Sequence, residues 1–338
     1  MVVKMFASVY KAGHSKNSLF LEKDITHKYN PLSGDIFLRD IFLSHGIVLN
    51  TPDINNERKV EFEIFFEGQS ISNNSTKKFL IAMENPIHNR LNRDLKYLSK
   101  FDAVFSWDKT YLSCLDNFHF IHIPNEMKVL RDAFTNKREN FLCLINANKN
   151  FKSHVDGNLY YERYKLIRWL EKNFLEDFDL FGIGWGKPYT GIGFIAKQKR
   201  NLQSYYSSIT GKNNFPSWRG EVNDKSVYAN YNFAICYENV STLPFYITEK
   251  ILDAMMYGCI PIYWGAPNIL DVIPKECFID RRDFSTTDQL LKFLKKMSEE
   301  QIKSYRREIL NFITNDGQDL FGYRSTLGEV VKTIMRKI

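Results

Sequence analysis

Two short apolar runs in the last third of the chain, FAICY at 233–237 and IPIYW at 260–264, enclose a helical pattern. Thr248 is a suitable N-cap for this helix, and Gly258 is a residue type that commonly follows a helix end. The apolar positions between them recur at helical spacing: Ile251, Leu252, Met255 and Met256. A buried strand, a helix and a second buried strand predict a βαβ unit, and such units bind ligands at the carboxyl edge of their sheet.

Strand-like and helix-like segments alternate through both halves of the 338-residue chain. The strand-like segments are rich in Phe, Val, Ile and Leu: EFEIFFE and FDAVFSW in the first half, FLCLI and FDLFG in the second. This alternation predicts the α/β class with mainly parallel sheets, and the length favours two domains. Because the segment after FHFIHIP is polar, we predict an N-terminal domain at 1–135 and a C-terminal domain with a helical tail at 136–338.

The formal net charge of +7 is spread along the whole chain. Lys and Arg are not massed with interleaved aromatic residues, so the pattern indicates a mildly basic surface and disfavours a non-enzymatic nucleic-acid-binding protein. The C-terminal stretch VVKTIMRKI is both apolar and basic. We therefore expect this stretch to make weak contact with anionic lipid at the inner face of the cytoplasmic membrane.

The five cysteines are odd in number, lack CxxC spacing and lie partly inside apolar runs such as FLCLI. They indicate buried reduced thiols rather than a disulfide or zinc framework. No run of about 18 apolar residues occurs, which predicts no membrane span, and the apolar stretch at the N-terminus is too short for a secretory signal. We expect a cytoplasmic protein.

Two charged residues open the predicted helix, and each has a suitable task in a nucleotide site. Lys250 is placed to neutralise a phosphate beside the helix N-terminus, where free N–H groups and the helix dipole already favour anions. Glu249 is placed to accept hydrogen bonds from ribose hydroxyls. On spacing alone, the alternative of a favourable first-turn charge and a solvated lysine is the better supported of the two.

The segments YNFAICYEN at 231–239 and YITEKILDAMMYGCIPIYWGAP at 246–267 resemble the C-terminal signature of the α1,3-fucosyltransferase family, glycosyltransferase family 10, of the bacterial type. WRGEVNDK at 218–225 resembles the Arg-bearing loop of that family. KKFLIAMENPIHN at 77–89 resembles its Glu-Ser-Pro-x-His segment, with Asn85 in place of Ser. The first 60 residues carry little that matches.

The resemblance implies a GT-B fold, in which two Rossmann-like domains face each other across an interdomain cleft. It implies transfer of L-fucose from GDP-β-L-fucose to a sugar hydroxyl with inversion, the N-terminal domain binding the acceptor and the C-terminal domain the donor. The linkage implied is α1,3, on an oligosaccharide, glycolipid or surface polysaccharide. The implied donor-binding residues are Arg219, Glu238, Asn239, Tyr246, Glu249 and Lys250.

The resemblance also points to a general base. Inversion by single displacement needs a group that takes the acceptor proton, and Glu84 is the matching residue. His88 is placed to orient the acceptor or Glu84, with an ordinary surface histidine as the alternative. Without the resemblance, a lone Glu beside a proline is usually a loop carboxylate.

The resemblance implies no metal and no other cofactor, because Arg, Lys and a helix terminus supply the positive charge at the diphosphate. GDP-fucose is then the only nucleotide partner, and no nucleic acid is expected. One alternative keeps the fold and GDP but changes the sugar to another GDP-linked deoxysugar. The signature does not separate these two donors, because both would make the same contacts to GDP.

Overall fold

The chain forms two structural units in a computed structural model that describes residues 5–21, 32–56, 58–149, 156–186, 198, 205, 214–222 and 224–338. The first unit comprises Met1–Met127, Pro244–Tyr246 and Asn315–Ile338. The second comprises Lys128–Leu243 and Ile247–Thr314. The chain therefore passes from one unit to the other more than once, which a single predicted boundary at 135 does not capture.

The first unit is built on a six-stranded parallel sheet with strand order β2-β1-β3-β4-β5-β6. Its strands are β1 (Met5–Tyr10), β2 (Ile47–Asn50), β3 (Phe62–Phe66), β4 (Lys77–Ala82), β5 (Ala103–Ser106) and β6 (Phe118–Phe120). The helices between them are α1 (Ser33–Ser44), α2 (Leu95–Leu98) and α3 (Lys109–Leu112). The central strands are buried on both faces, as parallel sheets require, and this explains their nearly continuous apolar sequence.

The second unit contains a five-stranded parallel sheet with strand order β11-β10-β9-β7-β8. Its strands are β7 (Asn140–Ile145), β8 (Phe178–Phe181), β9 (Tyr231–Tyr237), β10 (Ile260–Trp264) and β11 (Ile279–Asp280). The helices described in this unit are α4 (Tyr160–Asn173), α5 (Glu249–Met256), α6 (Thr287–Lys296) and α7 (Glu299–Thr314). Two parallel sheets with alternating helices confirm the predicted α/β class.

The last two helices, α8 (Asp316–Phe321) and α9 (Tyr323–Lys337), belong to the first unit, whereas the prediction assigned them to the C-terminal domain. Val330, Val331 and Ile334 of α9 are buried in the core beneath β1, together with Leu38 and Phe42 of α1. The same apolar side chains had been expected to contact lipid. They are used in the core instead, so the VVKTIMRKI stretch does not present an apolar face for a membrane.

The predicted βαβ unit is confirmed in its details. Strands β9 and β10 pair in parallel with Phe233 opposite Ile260, and α5 connects them. Gly258 follows the helix with φ of 65°, a left-handed conformation that glycine adopts without steric cost. A side chain there would meet the Arg138 guanidinium at 2.9 Å, so the position also needs a residue without a Cβ atom.

Four of the cysteines are buried free thiols as predicted, namely Cys143, Cys236, Cys259 and Cys277, whereas Cys114 is exposed. Burial raises the pKa of the Cys143 and Cys236 thiols, and this keeps both protonated and unreactive at neutral pH. Within the described part of the chain, no helix combines the length and the hydropathy needed to cross a bilayer.

Candidate active site

The N-terminus of α5 is fixed by a buried carboxylate at the end of β9. Glu238 is fully buried, and its Oε1 accepts a hydrogen bond from the Thr248 backbone N–H at 2.7 Å. Its Oε2 accepts a second hydrogen bond from Thr248 Oγ1 at 2.8 Å. Thr248 in turn caps the helix, since its Oγ1 accepts from the Lys250 backbone N–H at 3.5 Å. Glu238 therefore determines where the helix begins.

Lys250 extends this network with a positive charge. Its Nζ donates to Glu238 Oε2 at 3.1 Å and to Thr248 Oγ1 at 2.9 Å, and it lies 3.8 Å from Glu249 Oε1. The side chain is 16% exposed, so the ammonium group is held close to the first helical turn. The ammonium group and the first backbone N–H groups of α5 together give this end of the sheet a local site for an anion.

The two glutamates differ in their electrostatics. Burial raises the pKa of Glu238, and the nearby Lys250 charge only partly opposes this shift. The Glu249 side chain is 46% exposed. Burial acts to raise the pKa of Glu249 as well, but the Lys250 and Lys225 charges outweigh it and lower the pKa. Glu249 is therefore an ionised, partly solvated acceptor, while Glu238 is an internal anchor.

Asn239 follows Glu238 and holds the loop to α4. Its carbonyl oxygen accepts from the Leu159 N–H at 3.0 Å, and its Oδ1 accepts from the Arg163 guanidinium at 3.4 Å. Arg163 is buried and also donates to the carbonyl oxygens of Tyr237 and Glu238, each at 2.9 Å. Asn239 thus lies at the predicted edge of the sheet, in a backbone-fixing role.

Arg219 does not lie beside Lys250. Its Nε is 2.5 Å from Asp179 Oδ1, and its backbone N–H pairs with Leu180 of β8. Strand β8 is the edge strand of the sheet and is separated from β9 by β7, which corresponds to about 10 Å at normal strand spacing. In this structure the Arg219 guanidinium is therefore paired with Asp179 beside β8, two strands away from β9.

Tyr246 is grouped with the first unit, not with the helix that begins three residues later. Its hydroxyl accepts a hydrogen bond from Asn85 Nδ2 at 3.0 Å, and its ring packs against Trp107 with centroids 4.9 Å apart. The residue is 3% exposed. The sequence had assigned Tyr246 to donor binding, but its observed contacts are with the segment that contains the predicted base.

Glu84 lies just after β4, and hydrogen bonds fix both its side chain and its backbone. Its Oε1 accepts from the Asn85 backbone N–H at 3.2 Å and from Asn85 Nδ2 at 3.0 Å. Its backbone N–H donates to the Glu67 carboxylate at 3.0 and 3.1 Å, and its carbonyl oxygen accepts from Asn92 Nδ2 at 2.9 Å. Within the described residues, no hydrogen bond reaches Oε2 of Glu84.

His88 stands in the turn that follows Glu84. Its backbone N–H donates to the Asn85 carbonyl oxygen at 3.0 Å and to Asn85 Oδ1 at 3.3 Å. Asn85 is fully buried and so organises both predicted residues of this segment. The structure therefore brings Glu84, His88 and Tyr246 together in one unit, and Glu238, Asn239, Glu249 and Lys250 together in the other.

Comparison with known proteins identifies part of this arrangement. Residues 196–308 match the family model described as "Glycosyltransferase family 10 (fucosyltransferase) C-term". The alpha-(1,3)-fucosyltransferase FucT of Helicobacter pylori is 32% identical over 109 residues, which is 32% of this chain and 19% of that protein. This part of the chain is similar to the C-terminal fucosyltransferase domain of glycosyltransferase family 10. The alignment spans about a fifth of the length of the H. pylori relative.

Solved structures extend the likeness in fold to the whole chain. A crystal structure of an alpha1,3-fucosyltransferase has a TM-score of 0.50 at 14% identity, covering 98% of this chain and 90% of that one. An alpha-glucosyltransferase in complex with UDP has a TM-score of 0.55 at 10% identity, covering 98% and 100%. These likenesses confirm the GT-B fold. They do not specify the donor, because one of these proteins is a fucosyltransferase and the other a glucosyltransferase.

An Asp-x-Asp triplet lies at Asp177–Asp179, before the segment that matches family 10, and this pattern holds metal ions in other glycosyltransferases. Here both carboxylates have other partners. Asp177 pairs with Lys295 at 3.0 Å, and Asp179 binds Arg219 and accepts a hydrogen bond from the Tyr231 hydroxyl at 2.6 Å. Within the described residues, no group of three or more His, Cys, Asp or Glu side chains is arranged to hold a metal ion.

Sequence reasoning missed three residues that shape these sites. Arg163 of α4 holds the carbonyl oxygens at the end of β9, and Lys225 pairs with the buried Asp253 of α5 at 3.0 Å. Glu67 binds the backbone of Glu84. Arg163 and Lys225 have the sequence context of ordinary surface cations, and Glu67 is the last residue of the predicted strand EFEIFFE. Their partners lie 17 to 75 positions away.

Proposed function

We propose that the protein is an inverting fucosyltransferase that moves L-fucose from GDP-β-L-fucose to a sugar hydroxyl. The observation that carries the proposal is the N-terminus of α5 with Lys250 held beside it, inside the segment that matches family 10. Helix N-termini and lysine ammonium groups both stabilise phosphate oxygens. This end of the sheet is therefore suited to a diphosphate that becomes a leaving group.

The reaction we propose is a single displacement. The acceptor oxygen forms a bond to C1 of fucose while the bond from C1 to the phosphate oxygen breaks, and GDP leaves with the electron pair. Glu84 takes the acceptor proton. Asn85 donates to Oε1 of Glu84, which leaves Oε2 as the oxygen that receives this proton.

Several residues have supporting roles in this proposal. Glu249 is ionised and partly exposed next to Lys250, and we assign it to the hydroxyls of the donor nucleotide. Glu238 and Asn239 stabilise the conformation of the site and do not contact the donor. Arg219 binds the donor only if it leaves Asp179, and we retain it as a donor residue from the resemblance alone.

The remaining features of the proposal concern partners. We propose an oligosaccharide or glycolipid acceptor and an α1,3 linkage, on the strength of the family 10 resemblance. We propose cationic side chains and the α5 terminus, without a metal ion, as the charge that stabilises GDP. A cytoplasmic location at the inner face of the membrane is retained without a role for the apolar side of α9, which is buried.

The experiment that tests this function is a donor screen by GDP or UDP release. GDP-fucose, a second GDP-linked deoxysugar, GDP-mannose and UDP-glucose are offered with a panel of oligosaccharide acceptors, with and without EDTA. We expect nucleotide release with GDP-fucose, no effect of EDTA, and an α-linked product by NMR. Release from UDP-glucose alone would contradict the proposal, and preference for the other GDP-deoxysugar would change the donor.

The Lys250→Met variant is expected to raise the dissociation constant of GDP by about 10- to 100-fold. One charge-assisted hydrogen bond contributes about 1.5–3 kcal/mol, and 1.4 kcal/mol corresponds to a factor of ten. Isothermal titration calorimetry with GDP measures the change, and guanosine, which lacks phosphates, should bind both proteins equally. The control is Lys275→Met, an exposed lysine of the same unit. Unchanged GDP affinity in Lys250→Met would remove Lys250 from the phosphate site.

A further inference from the structure

Glu67 has a backbone conformation that few residues of its type adopt. It follows β3 directly, and its φ of 63° lies in the left-handed region that favours glycine. Such conformations persist where the surrounding structure determines them, and they occur often at functional sites. The next residue, Gly68, could adopt a left-handed conformation without steric cost, yet it is Glu67 that occupies the left-handed position.

The contacts of the Glu67 carboxylate explain what this conformation achieves. Oε1 accepts from the backbone N–H groups of Met83 and Glu84, each at 3.1 Å. Oε2 accepts from the Glu84 N–H at 3.0 Å and from Asn92 Nδ2 at 2.6 Å. The left-handed turn thus directs the side chain from the end of β3 to the end of β4, where the predicted base begins.

Asn92 completes the arrangement. Its Nδ2 also donates to the carbonyl oxygen of Glu84 at 2.9 Å, and its Oδ1 accepts from the Gly68 N–H at 2.8 Å. Both backbone polar groups of Glu84 are therefore bound by side chains, Glu67 on one and Asn92 on the other. With Asn85 on Oε1, the Glu84 residue is held at its N–H, its carbonyl oxygen and one carboxylate oxygen.

The electrostatics show that this placement has a cost. Burial raises the pKa of Glu67, and the neighbouring Glu84 charge raises it further, although Asn92 and the backbone N–H groups act in the opposite direction. Two neighbouring carboxylates repel each other, and this repulsion destabilises the folded state. A neutral side chain that accepts hydrogen bonds would hold the turn without this repulsion, which points to a role beyond stability.

We propose that Glu67 is a positioning residue for the reaction, which fixes the backbone of Glu84 so that Oε2 of that carboxylate faces the acceptor hydroxyl. The inference rests on the proposed function, in which Glu84 is the base. Glu67 does not touch the substrate in this scheme. It acts on kcat through the orientation of Glu84, because a base misplaced by about 1 Å loses much of its effect.

The test uses two variants of Glu67 in the full chain. Glu67→Gly removes the carboxylate and accepts the left-handed backbone, so the variant is expected to fold, with a lowered melting temperature because the Met83 and Glu84 N–H groups lose their acceptor. Its kcat is measured well below both melting temperatures. We expect its kcat to fall about 10- to 100-fold with an unchanged KM for GDP-fucose. Glu67→Gln keeps one accepting oxygen for the Glu84 N–H, and we expect it to recover part of the lost kcat.

A double variant separates this inference from the assignment of the base. If Glu67 acts through Glu84, adding Glu67→Gly to Glu84→Gln should lower the residual rate no further. Wild-type kcat in Glu67→Gly, or a full multiplicative loss in the double variant, would overturn the positioning role while Glu84 stays the base. Wild-type turnover in Glu84→Gln would overturn both assignments at once.

Discussion

Replacing Glu84 by glutamine is expected to lower kcat by about 10²- to 10⁴-fold and to leave the affinity for GDP unchanged. The glutamine oxygen can still accept from the Asn85 N–H and Nδ2, so the local hydrogen bonds survive. What is lost is the oxygen that takes the acceptor proton. The rate of GDP release in the presence of acceptor measures kcat, and calorimetry measures GDP binding.

The control for this variant is a carboxylate of the same unit that has no predicted role. Glu329 of α9 is 45% exposed and pairs with Lys332, and Glu329→Gln should leave both quantities within twofold. A rate within threefold of the wild type in Glu84→Gln would remove Glu84 from the reaction. Loss of GDP affinity along with kcat would instead indicate a role in donor binding.

The βαβ unit around α5 was predicted from sequence because its signals are local. A capping threonine, apolar residues at helical spacing and a glycine after the helix all lie within eleven residues, Thr248 to Gly258. Each of them depends on backbone geometry that the neighbouring residues determine. The structure accordingly has the cap, the helix and the left-handed glycine at the predicted positions.

The partners of charged and aromatic side chains could not be predicted from local sequence, because they lie far apart along the chain. Arg219 binds Asp179, 40 positions away, and Tyr246 binds Asn85, 161 positions away. A motif match identifies the residue but not the group it contacts. Tyr246 also follows Pro244 into the first unit, and no local pattern marks such a short exchange.

The C-terminal helices show a similar limit. Their apolar spacing predicted helices correctly, but it did not say which sheet they would cover. Val330, Val331 and Ile334 pack with α1 in the first unit, so the last helices pack against the N-terminal part of the chain. Amphipathic periodicity identifies a buried face, and only the tertiary structure identifies the surface against which it is buried.

Replacing Glu238 by alanine is expected to reduce the free energy of unfolding of the second unit by about 3–5 kcal/mol. The carboxylate is fully buried and accepts from the Thr248 N–H, Thr248 Oγ1 and Lys250 Nζ. Its removal leaves these donors without their acceptor beside a retained ammonium charge. Urea denaturation followed by tryptophan fluorescence measures the change, because four of the five tryptophans, Trp169, Trp185, Trp218 and Trp264, lie in this unit.

The neighbouring glutamate provides the matched control for this loss. Glu249→Ala removes a first-turn charge that is half exposed, and such a charge contributes only about 0.3–1 kcal/mol. A second comparison adds Lys250→Ala to Glu238→Ala: the double variant should be less destabilised than the sum of the two single variants, because no buried charge is then left unpaired. Additive losses, or a Glu238→Ala effect as small as that of Glu249→Ala, would mean that the buried pair does not hold the start of α5. Lys250 would then have to be fixed at the helix terminus by some other contact.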